Sequence, residues 1–111
     1  MKQVKKITFV YPLHNEEKRI HKFIFFYNWV KKNLKIKVNF IFVVNRSTDK
    51  TYKLLKTKYK YKNIKVFKCK SNKRGDGIKH ALNKINSGLV GICAIDNAWD
   101  FKFYTKAIKL I

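Results

Sequence analysis

Carboxylate side chains are scarce in this sequence, and their spacing is the first indication of chemistry. The 111 residues contain six acidic residues against 27 basic ones. All six lie in or just after predicted loops that follow strands: Glu16 and Glu17 after the first, Asp49 after the second, Asp76 after the third, and Asp96 and Asp100 after the fourth. If these strands are parallel, the loops share one edge of a sheet, and carboxylates gathered there could bind a divalent cation and, through it, a phosphate.

Helix capping is the alternative explanation for the same positions. Each acid also lies near a predicted helix N-terminus, where a carboxylate contributes about 0.3–1 kcal/mol. Capping accounts well for Glu16, Glu17 and Asp49. It accounts less well for Asp96, which ends a predicted buried strand before the next helix begins. We therefore expect Asp96 to be functional.

The elements that must position these residues alternate along the chain. Four β-rich runs predict strands: "KITFVY", which Pro12 stops, "KVNFIFVV", "NIKVFKC" and "LVGICAI". Four segments with helical spacing follow them in turn: "NEEKRIHKFIFFYNWVKKNL", "STDKTYKLLKTKYK", "GDGIKHALNKI" and "FKFYTKAIKLI". The fourth strand is apolar throughout, which is typical of a strand buried on both faces. The order βαβαβαβα predicts a Rossmann-like, three-layer α/β/α fold with an open, mostly parallel sheet, which binds ligands beyond the carboxyl ends of its strands.

The first predicted helix has two different faces. We expect it to begin after Asn15 as N-cap, with Glu16 and Glu17 in its first turn. One face is an apolar stripe of Ile20, Phe23, Ile24, Tyr27, Val30 and Leu34. The opposite face carries Lys18, Lys22, Phe25, Trp29 and Lys32. Phe25 and Trp29 among lysines suit an anionic membrane surface or a protein partner, unless both rings pack beneath neighbouring elements.

The composition favours a single folded domain over residues 1–111. Hydrophobic residues make up 46% of the chain, enough for one core, and 4 Gly with 1 Pro leave no obvious linker. Cys69 and Cys93 lack metal-ligand spacing and fit reduced thiols in a cytoplasmic protein. The apolar run "ITFVYPL" is too short to span a membrane.

The net charge of +21 favours polyanionic partners, such as nucleic acid, anionic lipid headgroups or a diphosphate. Only three of the basic residues are arginines. Nucleic-acid readers usually need arginine for bidentate contacts, so nucleic acid is the less favoured partner. A compositional bias towards lysine on a solvated surface is the competing explanation of the charge.

Four segments, in order, resemble the family 2 glycosyltransferases with the GT-A fold. "ITFVYPLHNEEKRI" is similar to the opening strand with its Pro-x-x-Asn-Glu, and "IFVVNRSTDKT" to the second strand and its Asp-Asp-x-Ser-x-Asp-x-Thr turn. "NKRGDGIKHALN" is similar to the Asn-x-Gly-Lys-Gly loop and helix, and "GLVGICAIDNAWD" to the strand that ends in an Asp-x-Asp metal motif. The resemblance is to the nucleotide-sugar-binding half of these enzymes, including the polyprenol-phosphate sugar transferases.

The resemblance implies that the chain binds a nucleotide-diphosphate sugar for transfer to a lipid-linked or other acceptor. The site residues it implies are Pro12, Asn15, Glu16, Asn45, Ser47, Asp49, Gly75, Gly77 and Asp96. It also implies a Mg²⁺ or Mn²⁺ ion with Asp96 as the main ligand, which Asp100 could approach if the segment between them is helical. Phe25 and Trp29 would then contact an anionic membrane, on which the chain sits peripherally, or a separate acceptor-binding subunit.

The sequence also departs from the family pattern. The family's Asp-Asp pair falls on Val44 and Asn45, the lysine of Gly-Lys-Gly on Asp76, and the second metal carboxylate on Ala98. The acceptor-binding half, which carries the catalytic base, has no counterpart in these 111 residues, so the lone chain is expected to be incomplete as an enzyme. Two alternatives stay open: a non-catalytic basic module that binds nucleic acid or anionic membrane, and a truncated remnant on the same scaffold.

Individual residues keep simpler explanations as well. Ser47 and Asp49 could serve only the start of a helix. Gly75 and Gly77 could form a plain tight turn, or their N–H groups could cradle a phosphate. The Asn45 amide both donates and accepts hydrogen bonds, so it could still hold a base or ribose.

Overall fold

A computed structural model of the chain describes residues 6–46, 48–59, 61–70, 73–85, 88–93 and 95. The strands are β1 (Lys6–Leu13), β2 (Lys37–Asn45), β3 (Ile64–Cys69) and β4 (Leu89–Ile92). The helices are α1 (Phe23–Asn33), α2 (Thr51–Thr57) and α3 (Arg74–Leu82), and a 3-10 turn at Ile20–Lys22 precedes α1. The elements therefore alternate as the sequence predicts.

The four strands form one parallel sheet in the order β3-β2-β1-β4. β1 and β2 pair over their full common length, from Lys6 with Lys37 to Leu13 with Val44. Because the chain adds β2 and β3 on one side of β1 and β4 on the other, strand order reverses at β1. All strands end at the same side of the sheet, which we call the carboxyl edge, and begin at the opposite side, the amino edge. This architecture confirms the predicted Rossmann-like α/β fold.

One face of the sheet, the aromatic face, packs against α1 and α2. Its core is dominated by rings from β1, β2 and α1: Phe9, Tyr11, Phe23, Phe26, Phe40 and Phe42, all at most 2% exposed. Phe23 meets Phe42 edge to face at 4.8 Å between ring centroids, and Tyr11 stacks on Phe42 at 5.1 Å. Such pairs contribute about 0.5–1.5 kcal/mol each beyond the burial of their area. This layer is therefore the main source of stability.

The other face, the α3 face, has a smaller apolar core. Val10, Ile41 and Val43 of the sheet pack there with Ala81 of α3. The helix lies over β1, β2 and β3. Since helices cover both faces, the three-layer arrangement is present in the described residues.

The first helix begins later than the sequence predicts. Asn15 is not its N-cap: the backbone of Asn15 is left-handed, with φ of 51°, and α1 begins at Phe23 after the 3-10 turn. Glu16 and Glu17 lie in the preceding loop. The carbonyl of Glu16 accepts the N–H groups of Arg19 and Ile20, both at 2.9 Å, which starts the 3-10 turn instead.

The apolar stripe of α1 also needs correction. Phe26 is 1% exposed and belongs to the core, whereas Ile24 is only partly buried. Trp29 does not share an exposed face with Phe25, because its ring stacks on Phe26 at 6.2 Å between centroids. Of these two aromatic residues, only Phe25 is largely in solvent, with 61% of its surface exposed.

β1 runs through Pro12 to Leu13, so the prediction that Pro12 stops the strand is wrong. The carbonyl of Val10 accepts the N–H of Cys93 on the β4 side, and Pro12, two residues on, faces the same side. The ladder between β1 and β4 reaches only Ile92. A proline is tolerated there because, among the described residues, no strand pairs with this part of β1 on the β4 side, so its missing N–H leaves no ladder bond unmade.

β4 is not buried on both faces as predicted. Val90 and Ile92 are 37% and 41% exposed, because β4 lies at the end of the described sheet and α3 packs over the other three strands. The predicted closing helix, "FKFYTKAIKLI", lies outside the described residues. Among the helices that are described, none has the length and apolar character needed to cross a membrane.

Candidate functional site

Two loops at the carboxyl edge are joined by hydrogen bonds between residues more than thirty positions apart. The side chain of Asn15, after β1, accepts the N–H groups of Thr48 at 2.8 Å and Asp49 at 3.3 Å, after β2. The left-handed backbone at Asn15 turns this side chain across to the second loop. Asparagine tolerates that backbone better than most residues. Asn15 is therefore a bridge between loops.

Glu17 and the β2–α2 loop make a reciprocal pair of hydrogen bonds. The N–H of Glu17 donates to Asp49 Oδ2 at 3.1 Å, and the N–H of Lys50 donates to Glu17 Oε1 at 2.8 Å. Nearby, the N–H of Glu16 donates to the hydroxyl of Thr51 at 2.9 Å, and the Thr51 side chain is fully buried. The two loops consequently form one unit.

Asp49 orders the start of α2. Its Oδ1 accepts the N–H of Thr51 at 3.0 Å and the Thr51 hydroxyl at 2.5 Å. Partial burial acts to raise the pKa of Asp49, but the hydrogen bonds from Thr51 and Glu17 outweigh it and hold the pKa below its ordinary value. Both carboxylate oxygens are thus engaged within the protein, as the helix-start explanation expects.

Asn45, the last residue of β2, links three elements at the carboxyl edge. Its side chain is 3% exposed and lies on the α3 face against Gly77. A Cβ on Gly77 would lie 2.7 Å from Asn45 Nδ2 and 2.9 Å from its Cγ, so a larger residue there would force the buried Asn45 side chain to shift. The backbone carbonyl of Asn45 accepts a hydrogen bond from His14 Nδ1 at 2.9 Å, which ties it to the loop after β1.

The remaining predicted residues are less closely integrated. Gly75 has open space where a Cβ would lie, with no atom within 4 Å. Pro12 pairs with Val43 near the end of β1. Ser47, Asp96 and Asp100 lie outside the described residues. The predicted set thus falls into two connected groups, Asn15 with Glu16 and Asp49, and Asn45 with Gly77.

A cavity of about 750 Å³, the carboxyl-edge cavity, opens between α2 and the ends of β2 and β3. Its lining contains four cationic side chains: Arg46, Lys53, Lys68 and Lys70. Asp49 is the one carboxylate among the described lining residues, and its oxygens are already hydrogen-bonded. Pockets of roughly 300–1,000 Å³ are typical for small ligands. The surplus of positive charge makes an anionic ligand the best fit.

Tyr52 supplies an aromatic wall in this cavity. Lys68 Nζ lies 4.3 Å from the centroid of the Tyr52 ring, a cation–π distance. This contact fixes one of the four cations over the strand end, where an anionic ligand could reach it. Sequence reasoning did not identify Lys68 or Tyr52, because their contact joins α2 to β3.

No cluster of three or more potential metal-ligating side chains occurs in the part of the chain that the structure describes. Glu16, in the loop after β1, has one carboxylate oxygen that no hydrogen bond engages among the described residues. Its Oε1 forms an ion pair with Arg19 at 2.7 Å, while its buried Oε2 has no hydrogen-bond partner among the described residues. The metal prediction on Asp96 and Asp100 therefore stays a prediction.

His14 and Thr51 are two more residues of this edge that the sequence patterns do not single out. His14 has a structural role, since its Nδ1 holds the Asn45 carbonyl at 2.9 Å. The one local signal for Thr51 is its position two residues after Asp49, the spacing at which an aspartate accepts a backbone N–H in an Asx turn.

Comparison with known protein families is consistent with the α/β fold described above. The family model "Glycosyl transferase family 2" matches residues 8–111, nearly the whole chain. The match includes β1 from its third residue onward, both loops described above and the other strands and helices of the described fold. No curated protein matches the sequence significantly.

Proposed function

The chain belongs to glycosyl transferase family 2, and from this we propose that its carboxyl edge binds a nucleotide-diphosphate sugar. The reaction served would be transfer of the sugar from the nucleoside diphosphate to an acceptor. The observation that carries the proposal is the carboxyl-edge cavity with its four cations. In open parallel sheets, ligands bind outside the carboxyl ends of the strands, where this cavity lies.

The cations would hold the diphosphate. Arg46 can bind two phosphate oxygens at once through its planar guanidinium, whereas Lys53, Lys68 and Lys70 act as point charges. The ring of Tyr52 offers a surface for the base beside Lys68. With the diphosphate on the cations and the base on Tyr52, binding would not need the family's Asp-Asp pair, which Val44 and Asn45 replace here.

Asn45, Gly75 and Gly77 would complete the site from the α3 side. The first turn of α3 presents backbone N–H groups, and a helix N-terminus favours negative charge. Gly77 brings the first turn of α3 close to Asn45, and the open space at Gly75 leaves that turn accessible. The Asn45 amide could then contact the ribose after a small shift of its side chain.

A divalent cation is part of the proposal. Carboxylates are the ligands that Mg²⁺ and Mn²⁺ prefer, so Asp96, helped by Asp100, would hold the ion. When bound, the ion would neutralise charge on the diphosphate leaving group. The role of Asp49 is different: it holds the loop and α2 in place.

The proposed acceptor and the proposed location at a membrane follow from the resemblance to polyprenol-phosphate sugar transferases. A lipid-linked acceptor would be met at the cytoplasmic face of a membrane. Phe25, which is 61% exposed on α1, would contact the lipid surface or a separate acceptor-binding subunit. Trp29 no longer contributes to that surface, because it packs against Phe26.

Calorimetric titration tests the proposal. UDP and GDP sugars are titrated into the wild type with and without Mn²⁺, and into Arg46→Gln/Lys68→Gln. We expect binding by the wild type and an affinity loss of about tenfold or more in the double variant, because charge-assisted hydrogen bonds to phosphate are lost. The matched control is Lys32→Gln/Lys35→Gln, which removes the same charge from exposed positions on and after α1.

Three outcomes would contradict the proposal: no heat with any nucleotide sugar, equal losses in both double variants, or salt-sensitive binding to nucleic acid alone. The last would favour the basic binding module instead. Asp96→Ala tests the metal separately. Its affinity should fall only when Mn²⁺ is present, and an unchanged Mn²⁺ dependence would remove Asp96 from the ligand set.

A further inference from the structure

A second cavity, the amino-edge cavity, lies on the α3 face at the opposite end of the sheet. Its volume is about 700 Å³. The strand registers show why it forms: Lys6 pairs with Lys37, Thr8 with Asn39, and Ile41 with Lys65, so these side chains share the α3 face. The apolar core on this face lies nearer the carboxyl edge. The amino-terminal part of the face is left polar, and the cavity lies over it.

Four lysines from four different segments line this cavity. Lys6, Lys37 and Lys65 come from three adjacent strands, and Lys84 comes from the turn after α3. Like charges directly opposite each other on neighbouring strands destabilise a sheet, as in the Lys6–Lys37 pair. No carboxylate is found among the described residues that line the cavity. The excess positive charge is therefore uncompensated within the described part of the chain.

The other polar groups in the lining suit an anion as well. Thr8 and Asn39 lie on the sheet between the lysines, and the Thr8 side chain is only 2% exposed although it lines the cavity. A hydroxyl and an amide can both donate hydrogen bonds to an oxyanion. Lys84 is held over the sheet by Phe67, whose ring centroid lies 4.8 Å from its Nζ. The lining thus combines one buried donor, Thr8, and one half-buried donor, Asn39, with a positioned cation, Lys84.

We propose that the amino-edge cavity binds a chain of three or more phosphates, either inorganic polyphosphate or the triphosphate of a nucleotide. Lys6 and Lys37 are paired on strands about 4.8 Å apart, whereas Lys65 is level with Ile41, four residues or roughly 13 Å further along β2. The three strand lysines therefore extend over roughly 16 Å. A single phosphate or a diphosphate is too small to contact all of them, whereas a longer phosphate chain can, because the lysine side chains reach towards it from both ends.

This site is separate from the proposed nucleotide-sugar site. Lys37 begins β2 and Asn45 ends it, so the two edges are about 26 Å apart along the strand. The two cavities also lie on opposite faces of the sheet, one beside α2 and the other beside α3. Variants at one site should therefore leave binding at the other unchanged.

The test uses tripolyphosphate as the probe, titrated calorimetrically into the full chain. We expect Lys37→Gln/Lys65→Gln to weaken binding by about tenfold or more, since two charge-assisted contacts are lost. Lys32→Gln/Lys35→Gln, with the same change in net charge at exposed positions outside the cavity, should lose far less. Without ligand, the cavity variant should melt at the same temperature as the wild type or higher, because repulsion is relieved.

Comparing ligands identifies the source of the phosphates. Similar affinities for tripolyphosphate and ATP indicate that the phosphate chain alone is recognised, and tighter binding of ATP indicates a nucleotide. The proposal is overturned if tripolyphosphate does not bind, or if the two double variants lose affinity equally. If the double variant does not fold, Lys84→Gln repeats the test with a lysine outside the sheet, and it should also weaken tripolyphosphate binding. The same variants are also titrated with a UDP sugar. Their affinity for it should equal that of the wild type, so a failure of this proposal can be told apart from a failure of the carboxyl-edge proposal.

Discussion

The two faces of the sheet differ in how they are filled and in where they stay open. On the aromatic face, rings from β1, β2 and α1 fill the core along the strands, and a cavity remains beside α2 at the carboxyl edge. On the α3 face, a small aliphatic core covers one end, and a cavity remains at the amino edge. Stability is therefore concentrated on one face, while each face keeps a separate opening lined by cations.

This difference has a consequence for substitution. The aromatic face can be disturbed only at a high cost in the free energy of unfolding, because its rings contact one another. The α3 face has fewer apolar contacts to lose, and one close fit on it is the contact between Asn45 and Gly77. Matched substitutions on the two faces should therefore differ in their cost.

The largest effect is expected from removing a ring. Phe42→Ala should lower the free energy of unfolding by about 3–5 kcal/mol, since Phe42 is fully buried between Tyr11 and Phe23. Its neighbour Val43 is equally buried but faces α3. Val43→Ala should cost only about 1–2.5 kcal/mol, in proportion to the smaller volume removed. Urea denaturation followed by circular dichroism measures both, and equal losses would contradict the difference between the faces.

The next effect concerns two glycines of one helix. Gly77→Ala should destabilise by about 1–3 kcal/mol, because its Cβ would overlap the Asn45 side chain. Gly75→Ala meets open space and should stabilise by about 0.4–1 kcal/mol through its lower backbone entropy when unfolded. Thermal melting of both variants checks this. If Gly77→Ala melts at the wild-type temperature, the close fit at Asn45 does not matter for stability.

Asp49→Asn tests the loop that starts α2 and should cost about 0.5–2 kcal/mol at neutral pH. The pKa of Asp49 is lower in the folded chain than its ordinary value. The stabilisation from the ionised carboxylate is therefore fully present above the unfolded pKa and is lost as pH falls through the folded pKa. Between about pH 5 and pH 2, the wild type should lose more stability than the variant. The free energy of unfolding is measured by urea denaturation at several pH values. If it falls equally in the wild type and in Asp49→Asn on acidification, Asp49 does not have this role.

The smallest effect is expected outside the aromatic core. Phe25→Ser should change stability by less than about 0.5 kcal/mol, because the ring is 61% exposed. Trp29→Ser should cost more, since it removes the ring that stacks on Phe26. In flotation with anionic liposomes, loss of binding in Phe25→Ser supports the membrane surface. If the wild type does not float, the membrane prediction fails.

The sheet and its edge could be predicted from the sequence because they depend on local patterns. Apolar β-rich runs separated by helical spacing indicate a parallel sheet, and that sheet gathers the following loops at one edge. The start of α1 was mispredicted at Asn15, because Asn15 accepts N–H groups from a loop 33 residues away instead of capping the helix. Trp29 was misplaced because the packing of its ring on Phe26 is tertiary.

The two cavities could not be predicted because their linings are brought together only by register. Lys6, Lys37 and Lys65 look like scattered surface charge in the sequence, yet the strand pairing places them on one face. Likewise, the need for glycine at position 77 comes from a side chain on another element, Asn45. Of the predicted site residues, those that the structure describes lie at the carboxyl edge, as the loop positions predict, whereas the carboxyl-edge cavity and its lysines were not predicted.

A heteronuclear NMR titration tests the central claim most directly. With UDP-glucose or GDP-mannose added to the ¹⁵N-labelled chain, amide shifts should move at Arg46, Asp49 and Lys70 at the carboxyl edge. Amides of Thr8 and Asn39 at the amino edge should stay in place. Shift changes confined to the amino edge, or none with either nucleotide sugar, would contradict the assignment of the carboxyl edge as the nucleotide-sugar site.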